Sequence, residues 1–171
     1  YIIQHAEARR VEDNPPVRTL SEKGTEDTYR LANYINSSGD VADRFMHVGS
    51  EWTQDNAEKL AKFMGSEGKV SQTPYVLTRE TDITAFIDDL NSTSDTVMAS
   101  TPSDVAMRAV TRLLTGREDP VILAKASGLC SCLERGDDGV WKLYVDRVEN
   151  RGGRTRRLLS PRGNLLRRDL T

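Results

Sequence analysis

Three short stretches carry the side chains that could do chemistry. In the first, His5 directly follows the run Tyr1-Ile2-Ile3-Gln4. A neutral imidazole there can attack as a nucleophile, take a proton, or simply bond a backbone carbonyl. The residues alone leave these roles open. Glu7 could act as a general acid or be a solvated loop carboxylate. The second stretch is Gly49-Ser50-Glu51-Trp52-Thr53 and the third Ser100-Thr101-Pro102-Ser103. Their hydroxyls can donate to an anion, and the helix start after Pro102 adds free N–H groups. Arg9, Arg10 and Arg18 are the cations nearest the first stretch, each able either to reach an anion or to stay in solvent. His47 is the chain's one other histidine, within a strand, where it reads as a second imidazole or as a packed one. Cys130 and Cys132 share a strand face with no Cys/His cluster around them, so they read as core residues rather than metal ligands.

Regular elements must hold these stretches in place. Residues 1–3 form an apolar run typical of a buried strand, and residues 7–17, with Pro15-Pro16, form a loop. Ser21, Glu22 and Gly24 open a helix whose Leu31, Ala32 and Ile35 recur at helical spacing up to Ser37-Ser38-Gly39. A strand at 44–48 precedes a helix at 53–64, with Ala57, Leu60, Ala61 and Met64 on one face. Residues 75–77 suggest a short extended piece in the otherwise patternless segment 65–81. Next come a helix at 82–90, a strand at 95–99, a helix at 102–114 with Pro102 in its first turn, and a strand at 120–124. A hairpin of 129–133 with 140–145 closes the series. The alternation predicts an α/β three-layer sandwich: a mostly parallel central sheet flanked by helices, with the antiparallel C-terminal hairpin at its edge. Ligands of such sheets bind at the carboxyl ends of the strands, where all three stretches fall.

At 171 residues, 37% of them hydrophobic, the chain can bury a sizeable core without disulfides or metals. That composition excludes a secreted disulfide scaffold, a collagen-like chain, a coiled coil and a disordered chain. There is no run near the ~20 apolar residues of a membrane span and no signal-peptide pattern. With two cysteines too close together for an unstrained bridge, a cytoplasmic setting is expected. The net charge of -2 hides an asymmetry. Residues 1–150 carry 17 basic and 25 acidic side chains, whereas 151–171 carry seven arginines against Asp169 alone. The expected division is an α/β domain over 1–150 and a basic C-terminal tail over 151–171. That tail suits an acidic partner or the acidic body of its own domain. Without an aromatic to stack a base, it argues against nucleic acid.

The stretch Ile2-Ile3-Gln4-His5-Ala6-Glu7-Ala8 resembles the strand-plus-Arg-His-Gly-Glu-Ala signature of the histidine phosphatase (phosphoglycerate mutase-like) superfamily. Arg18-Thr19-Leu20-Ser21-Glu22-Lys23-Gly24 is similar to the segment that follows it in the small SixA-type phosphohistidine phosphatases. The helix order and the terminal hairpin with Trp141 fit the same group. The likeness is tight over residues 1–24 and loose to about 146. It implies that His5 is the catalytic nucleophile, attacking phosphorus and carrying a phosphohistidine. It also implies a phosphorylated protein or small phosphate ester as substrate, and no metal or organic cofactor. In that family two arginines and a second histidine surround the phosphoryl group, because the attacking imidazole meets three charged oxygens.

Here that lining is depleted. Gln4 stands where the family has its first arginine, keeping a donor but losing the charge and the bidentate fork. Trp52 falls at the second arginine's position, with Gln54 the neighbouring option. The second histidine's place reads Ser100-Thr101-Pro102. Candidate phosphate contacts are therefore Gln4, Arg18, Ser50, Trp52 and Thr101. Losing one preorganised donor typically costs about 10²–10³ in rate, and donors acting as a unit lose less than the product. The expectation is a phosphohistidine phosphatase whose activity is weakened or lost. The alternative is a non-catalytic, phosphatase-like domain that binds a ligand or protein partner.

Overall fold

A computed structural model describes residues 1–9, 19–122, 125, 128–149 and 154–157. Seven strands make one sheet: β1 (Ile2–Gln4), β2 (Arg44–His47), β3 (Val70–Gln72), β4 (Val97–Thr101), β5 (Leu129–Arg135), β6 (Trp141–Glu149) and β7 (Arg154–Arg157). Their order is β3-β2-β4-β1-β5-β6-β7. The first four are mutually parallel, and β5, β6 and β7 add on antiparallel at one edge. Four helices pack on this sheet: α1 (Glu22–Ser37), α2 (Glu51–Phe63), α3 (Thr84–Ser92) and α4 (Ser103–Thr115). The molecule is the expected three-layer α/β sandwich.

Strand alternation divides the core into two layers. Ile2, Met46, Val97, Ala99 and Leu129 pack with Phe86, Leu90, Val105 and Ala109 of α3 and α4. Their neighbours Ile3, Phe45, Met98 and Cys130 pack with Leu31, Ile35, Leu60 and Ala61 of α1 and α2. Parallel strands covered on both faces must be apolar on both, which is why they read as continuous runs.

Local chemistry sets the helix limits. Ser21 caps α1, its side chain accepting from the Gly24 amide, with Glu22 favourable in the first turn. Gly116 ends α4 in the left-handed region, at φ 76°.

Two expectations are revised. Residues 75–77 stay outside the sheet, although Leu77 is buried and donates its amide to the Val48 carbonyl. The strand of that region is β3, after a short 3₁₀ turn at Glu67–Lys69. Of the strand expected at 120–124, residues 120–122 form none, and 123 and 124 lie outside the described residues. The place beside β1 is taken by β5 instead, leaving Val121 and Ile122 exposed. Part of the segment set apart as a basic tail extends the sheet: β7 pairs with β6, placing Arg157 opposite Asp146 and Arg154 opposite Glu149. The rest of 151–171 lies outside the described residues. Among the described residues no helix is long and apolar enough to cross a membrane.

Candidate functional site

The parallel strands end level with one another. Gln4 pairs with Thr101, Ile3 with Ser100, and Ser100 with His47. The three chemical stretches leave the sheet at this edge. Gly49 draws two of them together, because a Cβ there would sit 2.6 Å from the Pro102 ring. Only a residue without a side chain lets the start of α2 approach the start of α4 so closely.

The stretch after β1 is fixed on every side. The His5 amide donates to the Thr101 carbonyl at 3.0 Å. The Ala6 amide donates to Asn56 Oδ1 on α2 at 3.0 Å. Glu7 accepts the Ser21 amide on its carbonyl and the Ser21 hydroxyl on its carboxylate, which also faces Lys23 at 3.4 Å. Glu7 therefore anchors α1. Asp55, next to Asn56, accepts the Leu20 amide at 2.7 Å. These two polar positions on α2 hold the loop, and nothing in their sequence spacing singles them out.

His5 is partly buried. Its Nδ1 lies 2.8 Å from the Ala6 carbonyl. A carbonyl only accepts, so in the neutral ring Nδ1 carries the proton and Nε2 keeps its lone pair. Nε2 has no hydrogen-bond partner among the described residues. Burial lowers the ring's pKa below the ordinary imidazole value; the Ala6 carbonyl opposes this and the nearby charge of Lys125 adds to it. The neutral form is the one a nucleophile needs. Trp52, the second residue of α2, stacks on the ring with centroids 6.3 Å apart.

The other candidates divide. Gln4 is fully buried at the end of β1, and its carbonyl accepts the Gly128 amide at 3.1 Å. Ser50 is the N-cap residue of α2 but makes no side-chain cap; its carbonyl accepts the Thr53 hydroxyl at 2.7 Å. Thr101 is fully buried and its hydroxyl donates to the Ile3 carbonyl at 2.9 Å, which ties β4 to β1. Ser100, 1% exposed, falls by alternation on the α1/α2 face with Met98, and its hydroxyl has no partner among the described residues. Arg18 and Arg10 lie outside the described residues. Arg9 is exposed and lines a groove with Glu22, Tyr29 and Phe63. His47 lines a separate cavity with Glu58 and Lys62. Cys130 is buried and Cys132 half-buried, and neither is in a disulfide. No group of three His, Cys, Asp or Glu side chains suited to a metal ion occurs among the described residues.

The chain matches no family model and no curated protein. Solved structures do match its fold. The protein histidine phosphatase SixA complexed with tungstate is 16% identical, with a TM-score of 0.59 over 83% of this chain and 91% of that one. Phosphoglycerate mutase from Bacillus anthracis str. Sterne is 12% identical, at 0.60 over 84% and 89%. Bacillus stearothermophilus YhfR is 11% identical, at 0.58 over 84% and 94%. The chain shares the fold of these phosphatase and mutase structures.

Proposed function

We propose that this chain is a slow phosphohistidine-directed phosphohydrolase in which His5 Nε2 attacks phosphorus. The observation that carries this reading is the Nδ1 contact with the Ala6 carbonyl, which leaves a neutral ring with its lone pair on Nε2 at the carboxyl edge of the sheet. In the first step the Nε2–P bond forms as the bond from phosphorus to the substrate breaks, and the leaving group takes a proton from water. In the second, water attacks the phosphohistidine, inorganic phosphate departs, and His5 returns to its neutral form.

The thin positive lining bears on the substrate. Phosphoryl transfer needs charge in place around the oxygens, and each absent donor costs about 10²–10³ in rate. A phosphohistidine on a protein depends least on that lining, because its leaving group departs as neutral imidazole rather than as an alkoxide. Likeness in fold to SixA supports the same substrate class. Small aryl phosphate esters are the next candidates. This reading calls for no metal or organic cofactor. Cys130 and Cys132, neither in a disulfide, suit a reducing compartment such as the cytoplasm.

A second reading, ligand or partner binding without turnover, is favoured by one feature: the indole of Trp52 occupies the face of the imidazole. One experiment separates the two. The protein and its His5→Ala variant are incubated with a phosphohistidine-bearing protein and with an aryl phosphate, then quenched and examined for label on His5. Labelled His5 and slow phosphate release, both absent from the variant, are expected. Equal background rates and no label overturn the hydrolase and leave the binding domain.

A further inference from the structure

The buried face of α2 carries two polar residues, and only one serves its own helix. Thr53, Asn56, Ala57, Leu60 and Ala61 form the stripe turned into the core. The Thr53 hydroxyl donates to the Ser50 carbonyl and accepts the Gly49 amide at 3.1 Å, so it completes the helix start. Asn56 does nothing of the kind. It is 1% exposed, and its Nδ2 has no hydrogen-bond partner among the described residues. A buried donor left unpaired is destabilising, and asparagine is a weaker helix former than leucine or alanine. An apolar residue would suit this stripe better.

The other end of the amide offsets that cost. Its Oδ1 accepts the Ala6 amide at 3.0 Å. The Thr28 hydroxyl, which donates to the Gly24 carbonyl at 2.8 Å, lies 3.4 Å from the same oxygen and confines it from the α1 side. The sheet does not take the Ala6 amide, because β1 ends at Gln4 and the His5 amide makes the last bond across to Thr101. Ala6 thus joins two contacts. Its amide is held by Asn56, and its carbonyl lies 2.8 Å from His5 Nδ1. Holding the amide limits how Ala6 can turn, and so where its carbonyl points. Glu7, next in the chain, is fixed as well: its carbonyl accepts the Ser21 amide at 2.8 Å, and Gly24 packs too close to it for a Cβ.

We infer that Asn56 is a positioning residue for His5: through the Ala6 it clamps, it keeps the ring proton on Nδ1 and the lone pair on Nε2. The importance of this for turnover rests on the reading of His5 as the nucleophile; the choice of tautomer does not. Without a carbonyl aimed at Nδ1, neither ring nitrogen is selected and the proton is shared between them. A ring protonated on Nε2 has no lone pair there with which to attack.

The test reads the ring nitrogens. Protein carrying isotope-labelled histidine is studied by nitrogen NMR above neutral pH, where the His5 ring is uncharged. Parent, Asn56→Leu and Asn56→Asp are compared. Leucine keeps the volume and removes the acceptor, whereas aspartate keeps an acceptor in the same place. His47, which lines a different cavity, is the internal reference. Parent and Asn56→Asp are expected to hold His5 as Nδ1–H. In Asn56→Leu the Nε2–H form should rise to about half of the population, with His47 unchanged. A His5 that stays Nδ1–H in Asn56→Leu overturns the inference, as do equal loss in both variants and an equal change in His47. A second measurement needs no variant. In the parent the Ala6 amide should exchange with solvent at least ~100-fold more slowly than an open loop amide. Exchange at the open rate overturns the inference even if Asn56→Leu does not fold. None of these readouts needs turnover. A tautomer that depends on Asn56, without any labelled His5, removes the hydrolase and keeps the positioning role. Labelled His5 with a tautomer indifferent to Asn56 does the reverse.

Discussion

The imidazole of His5 and the indole of Trp52 lie almost parallel, their planes 19° apart and their centroids separated by 6.3 Å. One ring leaves β1 and the other begins α2, so the pair marks where the sheet and a helix start converge. An aromatic here shields the imidazole from water instead of charging its surroundings.

That shielding has a measurable effect. Burial is the largest cause of the lowered His5 pKa. Trp52→Ala, which uncovers one face of the ring, should move the pKa up toward the ordinary 6.5. Titration of the His5 ring protons by NMR reads this directly, and an unmoved pKa would assign the depression to the surrounding backbone.

The opposite change restores charge. Trp52→Arg places a guanidinium at the start of α2 and should raise aryl phosphate hydrolysis by about 10²-fold. Initial rates at a fixed ionic strength measure it. A variant no faster than the parent, yet equally stable, would show that residue 52 does not reach the phosphoryl group.

Thr101 illustrates how burial changes a candidate's role. Its hydroxyl is held to the Ile3 carbonyl, so Thr101→Val should cost about 1 kcal/mol of stability. Tungstate affinity should stay unchanged. Urea denaturation and the tungstate titration together check this, and lost affinity in a stably folded variant would return Thr101 to the site.

Gly24→Ala sets two effects against each other. Alanine favours a helix by up to about 1 kcal/mol, but a Cβ at position 24 would meet the Glu7 carbonyl oxygen at 2.1 Å. Backbone overlap of this kind costs about 1–3 kcal/mol, so a net loss is expected. Urea denaturation should show a lower midpoint; a higher one would mean that the loop after β1 yields freely.

Both histidines have pKa values below the ordinary imidazole, mainly through burial. Between 6.5 and those lower folded values the unfolded chain binds more protons than the folded one. Their contribution to stability is therefore complete above this window, falls as the pH drops through it, and levels off below. Chemical denaturation across the window should show the decline, and His5→Gln should make it shallower. An equally steep decline in that variant would remove His5 as a contributor.

The sequence alone determined the alternation of strands and helices, the helix opened by Ser21 and Gly24, and His5 at a strand end. These follow from local rules: periodicity, capping, and apolar runs that suit a sheet covered on both faces. It also determined, from the positions of its two histidines, that none follows β4. The tertiary structure decided everything that depends on distant pairing. Residues 121 and 122 are apolar enough for a strand, yet β5 occupies the position beside β1, because a sheet edge accepts only one neighbour. Asn56 and Asp55 hold the segments after β1 and before α1 through single hydrogen bonds across fifty and thirty-five residues of chain, a relation no local spacing encodes.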